Sequence, residues 1–203
     1  MKKRIKKAKK PIFPVREADA QLHAACRELN IGHIRAAIEA GADVNAPNET
    51  HEYAPLDIVV DSLNGWDDYR SNPDHQRQIR TIVEMLLSRG ANPNGINADE
   101  RPLETFAWSC CDPKICAMLL RYGAKVNFEC GEKDSVLDLV WEEQAFLSMD
   151  DDADSNKEVI ERLDKIYDML ERHGAKYFSD PDFEDEFKRN CGDPEQGDQD
   201  GGQ

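Results

Sequence analysis

Gly123-Ala124-Lys125-Val126-Asn127 is the stretch that decides the fold, because its pattern occurs four times along the 203 residues. The other copies are Gly41-Ala42-Asp43-Val44-Asn45, Gly90-Ala91-Asn92-Pro93-Asn94 and Gly174-Ala175-Lys176-Tyr177. Each copy follows a segment whose apolar residues recur at helical spacing, so its glycine can end that helix in the left-handed conformation. Four such units predict a stack of helical repeats.

A second element precedes each glycine and marks the start of another helix. Pro55 and Pro102 fit the first turn of such a helix, because proline has a fixed φ and no amide hydrogen to donate. The copies are Ala20-Gln21-Leu22-His23-Ala24-Ala25, Ala54-Pro55-Leu56-Asp57-Ile58-Val59, Arg101-Pro102-Leu103-Glu104-Thr105-Phe106 and Ser135-Val136-Leu137-Asp138-Leu139-Val140.

These two elements resemble the Thr-Pro-Leu-His-x-Ala signature and the closing turn of ankyrin repeats, and the resemblance covers residues 18–179. It implies an all-α fold, an ankyrin-repeat solenoid of stacked helix pairs with short β-hairpin or turn connections. His23 keeps the signature histidine, whereas Asp57, Glu104 and Asp138 replace it. A carboxylate at that position can accept amide hydrogens at a helix start. The implied repeats span residues 18–44, 45–93, 94–126 and 127–179.

The intervals between the marker glycines are 49, 33 and 51 residues, so only the second has the ankyrin period and the others exceed it by 16 and 18. These excesses are insertions between the first and second helices of the second and fourth repeats, and we expect both to project from one edge of the stack. Both helices of the second repeat are expected to lengthen into the insertion, with a turn at Asn72-Pro73. The capping box Ser155-Asn156-Lys157-Glu158 predicts the start of the last helix.

Charge is distributed unevenly along the chain. The whole sequence has 26 basic and 41 acidic residues, a net charge of -15. Residues 1–10 contain seven basic residues and no acidic one, so the other 193 residues carry 19 basic and 41 acidic residues, a net charge of -22. We therefore expect a basic, disordered extension at 1–16 and an acidic, largely disordered tail at 180–203 on either side of the repeats.

Several classes of site are disfavoured by the sequence. No stretch approaches the roughly 18 to 20 apolar residues that span a bilayer, and the segment after the basic start is too short for a signal-peptide core. We expect a cytoplasmic protein, with import into a nucleus as the alternative if it acts in a eukaryotic cell. No Gly-rich phosphate loop and no histidine cluster is present, so an enzyme is not expected.

Six cysteines lie at positions 26, 110, 111, 116, 130 and 191 without a Cys-x-x-Cys pair. Zinc sites need paired ligands at defined spacings, so we expect no metal and no cofactor. Cys26 and Cys116 are expected to be small core residues, and the others reduced thiols. A metal or redox site among the four cysteines between 110 and 130 is the alternative.

The aromatic candidates for partner binding are three tryptophans and two tyrosines. Trp66, Trp108 and Trp141 all lie at or just beyond the C-terminal end of a first helix. Tryptophan is common among binding hot spots because it buries a large rigid area and keeps one polar group. Tyr53 and Tyr69 are secondary candidates. The alternative is that these rings fill space within the stack, above all Trp141, whose position resembles that of a core alanine.

The acidic candidates occupy the same regions as the tryptophans. Asp61, Asp67 and Asp68 follow the first helix of the second repeat, and Glu142 and Glu143 belong to that of the fourth. A surface lined by one sign of charge attracts an oppositely charged partner and speeds association. These residues therefore predict a basic protein partner, although a merely solvated acidic face would look the same.

The resemblance implies a non-enzymatic protein-binding module, monomeric when free, without a small-molecule substrate. A sharper hypothesis is an inhibitor or immunity protein that neutralises a basic toxin or enzyme through an acidic concave surface. The alternatives are an adaptor or host-directed effector that recruits a protein, and an acidic mimic of nucleic acid. Direct binding of nucleic acid is disfavoured because phosphate contacts require a positive surface.

Overall fold

The computed structural model describes residues 16–49, 52–63, 65–96, 101–130, 134–149, 153–180 and 182, and this part of the chain is mostly helical, as predicted. The first half contains α1 (Glu17–Arg27), α2 (Ile31–Glu39), α3 (Pro55–Asp61), α4 (Trp66–Ser71) and α5 (Pro73–Ser88). The second half contains α6 (Pro102–Glu104), which continues as a π-helical turn (Thr105–Ser109), then α7 (Pro113–Arg121), α8 (Val136–Met149) and α9 (Ala153–Arg172). Strands β1 (Glu129–Cys130) and β2 (Asp134–Ser135) form an antiparallel pair.

The helices lie in successive pairs that share one core. Within the pairs, α1 contacts α2, α3 contacts α5, the π-helical turn contacts α7, and α8 contacts α9. Each first helix also contacts the next first helix, and each second helix the next second helix. A single apolar cluster runs from Leu22 in α1 to Leu170 in α9, because each amphipathic helix buries its stripe against the neighbouring pair.

Proline and glycine mark the helix boundaries at the predicted positions. Pro55 and Pro102 are the first residues of α3 and α6. The four marker glycines have φ between +82° and +91°, which a residue with a Cβ adopts only with strain. In each of the four turns the alanine that follows the glycine donates its amide hydrogen to the carbonyl five residues before it, as from Ala91 to Leu86, at 2.9–3.1 Å. This bond is the longer one of a Schellman motif and confirms that the glycines end helices.

In three of the four helix pairs, the residue after the signature leucine bonds to backbone groups. His23 Nε2 donates to the carbonyl of Ala46 at 2.8 Å. The Asp57 carboxylate accepts the Ala54 amide at 2.9 Å, at the start of its own helix. Asp138 likewise accepts the Ser135 amide at 2.8 Å. Carboxylates at the histidine position therefore bind amides at the helix start, as predicted for Asp57 and Asp138.

Asparagine side chains join consecutive glycine turns. Asn45 Nδ2 donates to the carbonyl of Gly90 at 2.9 Å, and Asn45 Oδ1 accepts the Asn92 amide at 2.7 Å. Asn127 makes the equivalent bonds between the third and fourth glycine turns, to Gly174 and Lys176, both at 2.9 Å. The asparagines thus do more than stabilise their own turns, because each one holds the turn of the next helix pair.

The insertions differ from the sequence prediction in two respects. Helix α3 ends at Asp61 and does not lengthen, because the first insertion forms a helix of its own, α4. The predicted turn at Asn72-Pro73 is confirmed, and the Asn72 side chain accepts the Asp74 and His75 amides at the start of α5. Helix α9 begins at Ala153, two residues before Ser155, so the proposed capping box does not start that helix.

Three predicted segments lie largely outside the described residues. They are the basic extension, of which only Arg16 is described, the centre of the second insertion at 150–152, and the acidic tail apart from Asp180 and Asp182. Within the described ranges, none of the helices is both long enough and apolar enough to cross a membrane.

Candidate partner-binding surface

Arg70 fastens the first insertion to two other elements of the fold. Its Nε donates to the carbonyl of Ser109 at 2.7 Å, and its Nη2 donates to the carbonyl of Trp108 at 2.8 Å. The same Nη2 contacts Glu143 Oε1 on α8 at 2.7 Å. Both charged side chains are mostly buried, with 15% and 17% of their surface exposed. The guanidinium therefore holds α4, the π-helical turn and α8 in fixed positions.

Glu143 has a structural role in this arrangement. The sequence predicts that Glu143 contacts a partner, but its carboxylate is paired with Arg70 and largely covered. Separating that pair to reach an external cation would leave the Arg70 charge partly buried without its counter-ion. The structure thus gives Glu143 an internal counter-ion, and its contact with a partner stays a prediction.

Trp66 and Trp108 form an aromatic pair at this junction. Their ring centroids are 5.5 Å apart and the ring planes are inclined at 61°, which is an edge-to-face contact. The Trp108 ring is partly buried and packs against the core, whereas 43% of Trp66 is exposed. Trp66 thus presents an apolar surface that is supported from beneath by a second indole.

Tyr69 is a core residue and was wrongly predicted to contact a partner. It has no exposed surface, and its hydroxyl donates to Asp112 Oδ2 at 2.5 Å. Arg80 Nε also contacts that oxygen, at 2.8 Å. Burial and the neighbouring Asp112 carboxylate raise the pKa of the Tyr69 phenol far above its usual value. The ring and its hydrogen bond anchor α4 from the inside.

The acidic candidates near α4 differ in how they are held. Asp61, the last residue of α3, is exposed, as is Asp68. Asp68 Oδ2 lies 3.4 Å from His75 Nδ1 at the start of α5. Asp67 belongs to α4, but its side chain lies outside the described atoms. Asp61 and Asp68 therefore remain acidic groups on the outer surface of this region.

Tyr53 and Trp141 lie apart from the aromatic pair. Tyr53 is partly buried against the core, and its carbonyl accepts the Asn48 amide at 2.8 Å, so it belongs mainly to the turn. Trp141 is 54% exposed on α8, and the adjacent Glu142 is also exposed. The alternative interpretation of Trp141 as a space-filling core residue is wrong.

The described thiols are buried. Cys26, Cys110, Cys111 and Cys116 form no disulfide bond and lie in the interior, as expected for Cys26 and Cys116. Burial raises the pKa of Cys26 and of Cys111 to about 12, so both stay protonated near neutral pH. Among the residues with described positions, no three potential metal ligands of the His, Cys, Asp or Glu type come together.

Sequence reasoning missed Arg70, Phe146 and Met149. Arg70 is the single basic residue between Asp61 and Asp74, and this isolation was the available signal. Phe146 and Met149 follow Trp141 at helical spacing, and both are more exposed than Trp141. No protein-family model matches this chain, and no curated protein matches it.

Proposed function

We propose that the chain is an ankyrin-type stack of helix pairs that binds a basic protein. The binding surface comprises the exposed side chains of α4, the end of α3 and the outer side of α8. Support for the stack comes from four glycine-ended helix pairs whose turns are joined by asparagine side chains. Repeats of this kind bury their apolar stripes only by stacking, and their extended surfaces suit protein partners.

The observation that carries the proposal is the supported, exposed indole of Trp66. Trp66 rests edge-on against Trp108, and the backbone of Trp108 is bonded to Arg70. A tryptophan that is already ordered loses little conformational freedom on binding, so more of its apolar contact energy appears as affinity. Such an anchor is typical of a binding hot spot.

The charge of the surrounding surface indicates the sign of the charge that the partner carries. Asp61, Asp68 and Glu142 are exposed, and the chain as a whole carries a net charge of -15. A field of this sign raises the association rate of cationic proteins and repels anionic ones. The sharper form of the proposal is an inhibitor whose acidic surface covers the cationic active site of a toxin or nuclease.

The test is affinity capture by the immobilised full chain, followed by mass spectrometry and a binding titration with the captured protein. We expect a basic partner whose affinity falls as salt increases. The triple change Asp61→Lys, Asp68→Lys and Glu142→Lys should weaken binding at least tenfold. A triple change of equal charge on the second helices, Glu39→Lys, Glu84→Lys and Glu161→Lys, is the matched control. Equal losses from both triples, or a partner insensitive to salt, would refute the proposal.

A further inference from the structure

Helix α8 carries an apolar stripe on its outer side. Trp141 is 54% exposed, Phe146 70% and Met149 84%, and these are the three most exposed large apolar side chains among the described residues. Trp141, Ala145 and Met149 are spaced four apart, so they form one row along the helix, and Phe146 stands in the adjacent row with Glu142. A patch of this kind on one helix is typical of an interaction site.

The stripe lies where the stack would continue. The residue four positions after the signature leucine is buried in the three preceding pairs: Cys26, Val60 and Ala107 are between 0% and 4% exposed. In each of those pairs, the helical element that carries this residue contacts the next first helix. Trp141 occupies this position in α8, whose main contacts in the described structure are the π-helical turn, β2 and α9. The outer side of α8 is thus shaped to receive one more helix.

The charge around the stripe specifies what that helix would be. The described residues 134–149 contain four acidic residues and no lysine or arginine. Asp138 is occupied by the amides of Ser135 and Phe178, and Glu143 by Arg70, whereas Glu142 is exposed within the stripe. An apolar row beside unshared negative charge complements a helix that has apolar residues on one face and lysine or arginine along its border.

We propose that the outer side of α8 binds a cationic amphipathic helix of the partner protein, seated beside α8 as the next first helix of the stack would be. This inference rests on the proposed function, since it names the part of the basic partner that is recognised. Two other occupants are disfavoured by charge. A second copy that pairs its α8 with this α8 would oppose the same acidic stripe, and the chain's own Phe183 and Phe187 flank Glu184, Asp185 and Glu186.

The test uses the full chain and a fluorescein-labelled 18-residue peptide of leucine and lysine, with leucine at the i, i+3, i+4 and i+7 positions. Fluorescence anisotropy should report binding that weakens at least tenfold in Trp141→Ala/Phe146→Ser. Glu142→Lys should weaken it several-fold at low salt and less at high salt. Tyr122→Ala is the matched control, because it removes an exposed aromatic side chain outside the proposed binding surface, and it should bind as the unchanged chain does. A scrambled peptide of the same composition and a leucine-glutamate peptide should not bind.

Three results would overturn the inference. The first is peptide binding that survives Trp141→Ala/Phe146→Ser, or no binding at all. The second is tighter peptide binding by Phe183→Ser/Phe187→Ser, because this would mean that the chain's own segment occupies α8. The third is a dimer in sedimentation that Trp141→Ala dissociates. If the captured basic protein still binds Trp141→Ala/Phe146→Ser but not Trp66→Ala, the inference fails while the proposed function stands. If no basic protein is captured, the proposed function fails.

Discussion

Asp57 accepts the amide of Ile96 at 3.0 Å, although the two residues are 39 positions apart in the chain. The same carboxylate accepts the amide of Ala54 and is almost completely buried, so it joins the start of α3 to the turn that follows α5. The turn approaches so closely that a Cβ at Gly95 would lie 1.9 Å from Asp57 Oδ1. The hydrogen bonds of the Asp57 carboxylate therefore require that residue 95 has no side chain.

Gly95→Ala should be strongly destabilising. Gly95 has φ of +65°, and the added methyl group would displace the Asp57 carboxylate from its amides. We expect a loss of more than about 3 kcal/mol in the free energy of unfolding, measured by urea denaturation. Gly41→Ala is the control, because Gly41 has φ of +90° with open space around it and should lose about 1–2 kcal/mol. Equal losses at the two positions would disprove the role of the close approach.

Asn127→Ala should cost more than Asn45→Ala. Both side chains bridge two glycine turns with one donated and one accepted bond, but Asn127 is buried whereas Asn45 is exposed. Burial removes the water that could replace the lost bonds, so we expect a loss of about 2–3 kcal/mol at Asn127 and about 1 kcal/mol or less at Asn45. Thermal and urea unfolding of the two variants measure this difference, and a larger loss at Asn45 would contradict it.

The stability contributed by Asp19 should disappear in acid. Burial alone would raise the pKa of Asp19, but hydrogen bonds from the Arg16 side chain and the Asp43 amide outweigh it, and the net pKa lies below the usual 3.8. A carboxyl whose pKa is lowered by folding adds stability above its unfolded pKa, and loses it as the pH falls through the lower folded pKa.

Asp19→Asn measures this contribution. The difference in unfolding free energy between the unchanged chain and Asp19→Asn should be constant near neutral pH and shrink as the pH drops below 3.8. Arg16→Gln should make this decline smaller, since it removes one of the interactions that lower the folded pKa and leaves the unfolded pKa, where the decline starts, unchanged. A difference that stays constant down to pH 2 would rule out the lowered pKa.

Arg70 and Glu143 should be coupled energetically. Arg70→Met leaves Glu143 partly buried without its counter-ion, and Glu143→Gln removes that unpaired charge. The double variant should therefore be more stable than the sum of the single losses predicts, by about 1 kcal/mol in a double-mutant cycle of urea unfolding. Arg70→Met should also shift the emission of Trp66 to longer wavelength, because α4 loses its bond to the Trp108 backbone. Additive losses would mean that the ion pair contributes nothing.

The helix boundaries could be predicted from the sequence because they depend on local chemistry. Pro55, Pro102, Gly90 and Gly123 act through their own φ angles, and these are properties of single residues. The pairing of helices could be predicted for a related reason, since an apolar stripe that recurs before each marker glycine has to be buried by its neighbours. The proline and glycine signals and the apolar stripe can each be recognised within a single helix pair of the sequence.

The first insertion could not be predicted in the same way. It has no repeated partner to compare with, and Tyr69 in a polar segment gives no sign that its hydroxyl bonds Asp112, 43 residues later. Glu143 resembled a surface acid for the same reason, because its counter-ion Arg70 lies 73 residues before it. Exposure of Trp141 depends on what stacks against α8, and a position four residues after the leucine is otherwise a core position. For each of these three residues, contacts with segments far away in the sequence determine whether the side chain is buried or exposed.

The π-helical turn limits how this protein can be rebuilt. Its wider winding bonds the Cys110 amide to the carbonyl of Thr105, and the carbonyls of Trp108 and Ser109 meet the Arg70 guanidinium. A regular helical end at this point would aim those carbonyls elsewhere. The position of α4 therefore depends on the π-helical geometry of this turn. A design that transfers α4 to another helical scaffold must therefore include residues 105–110. Without them, the Arg70 guanidinium would lack the two carbonyls that accept its hydrogen bonds.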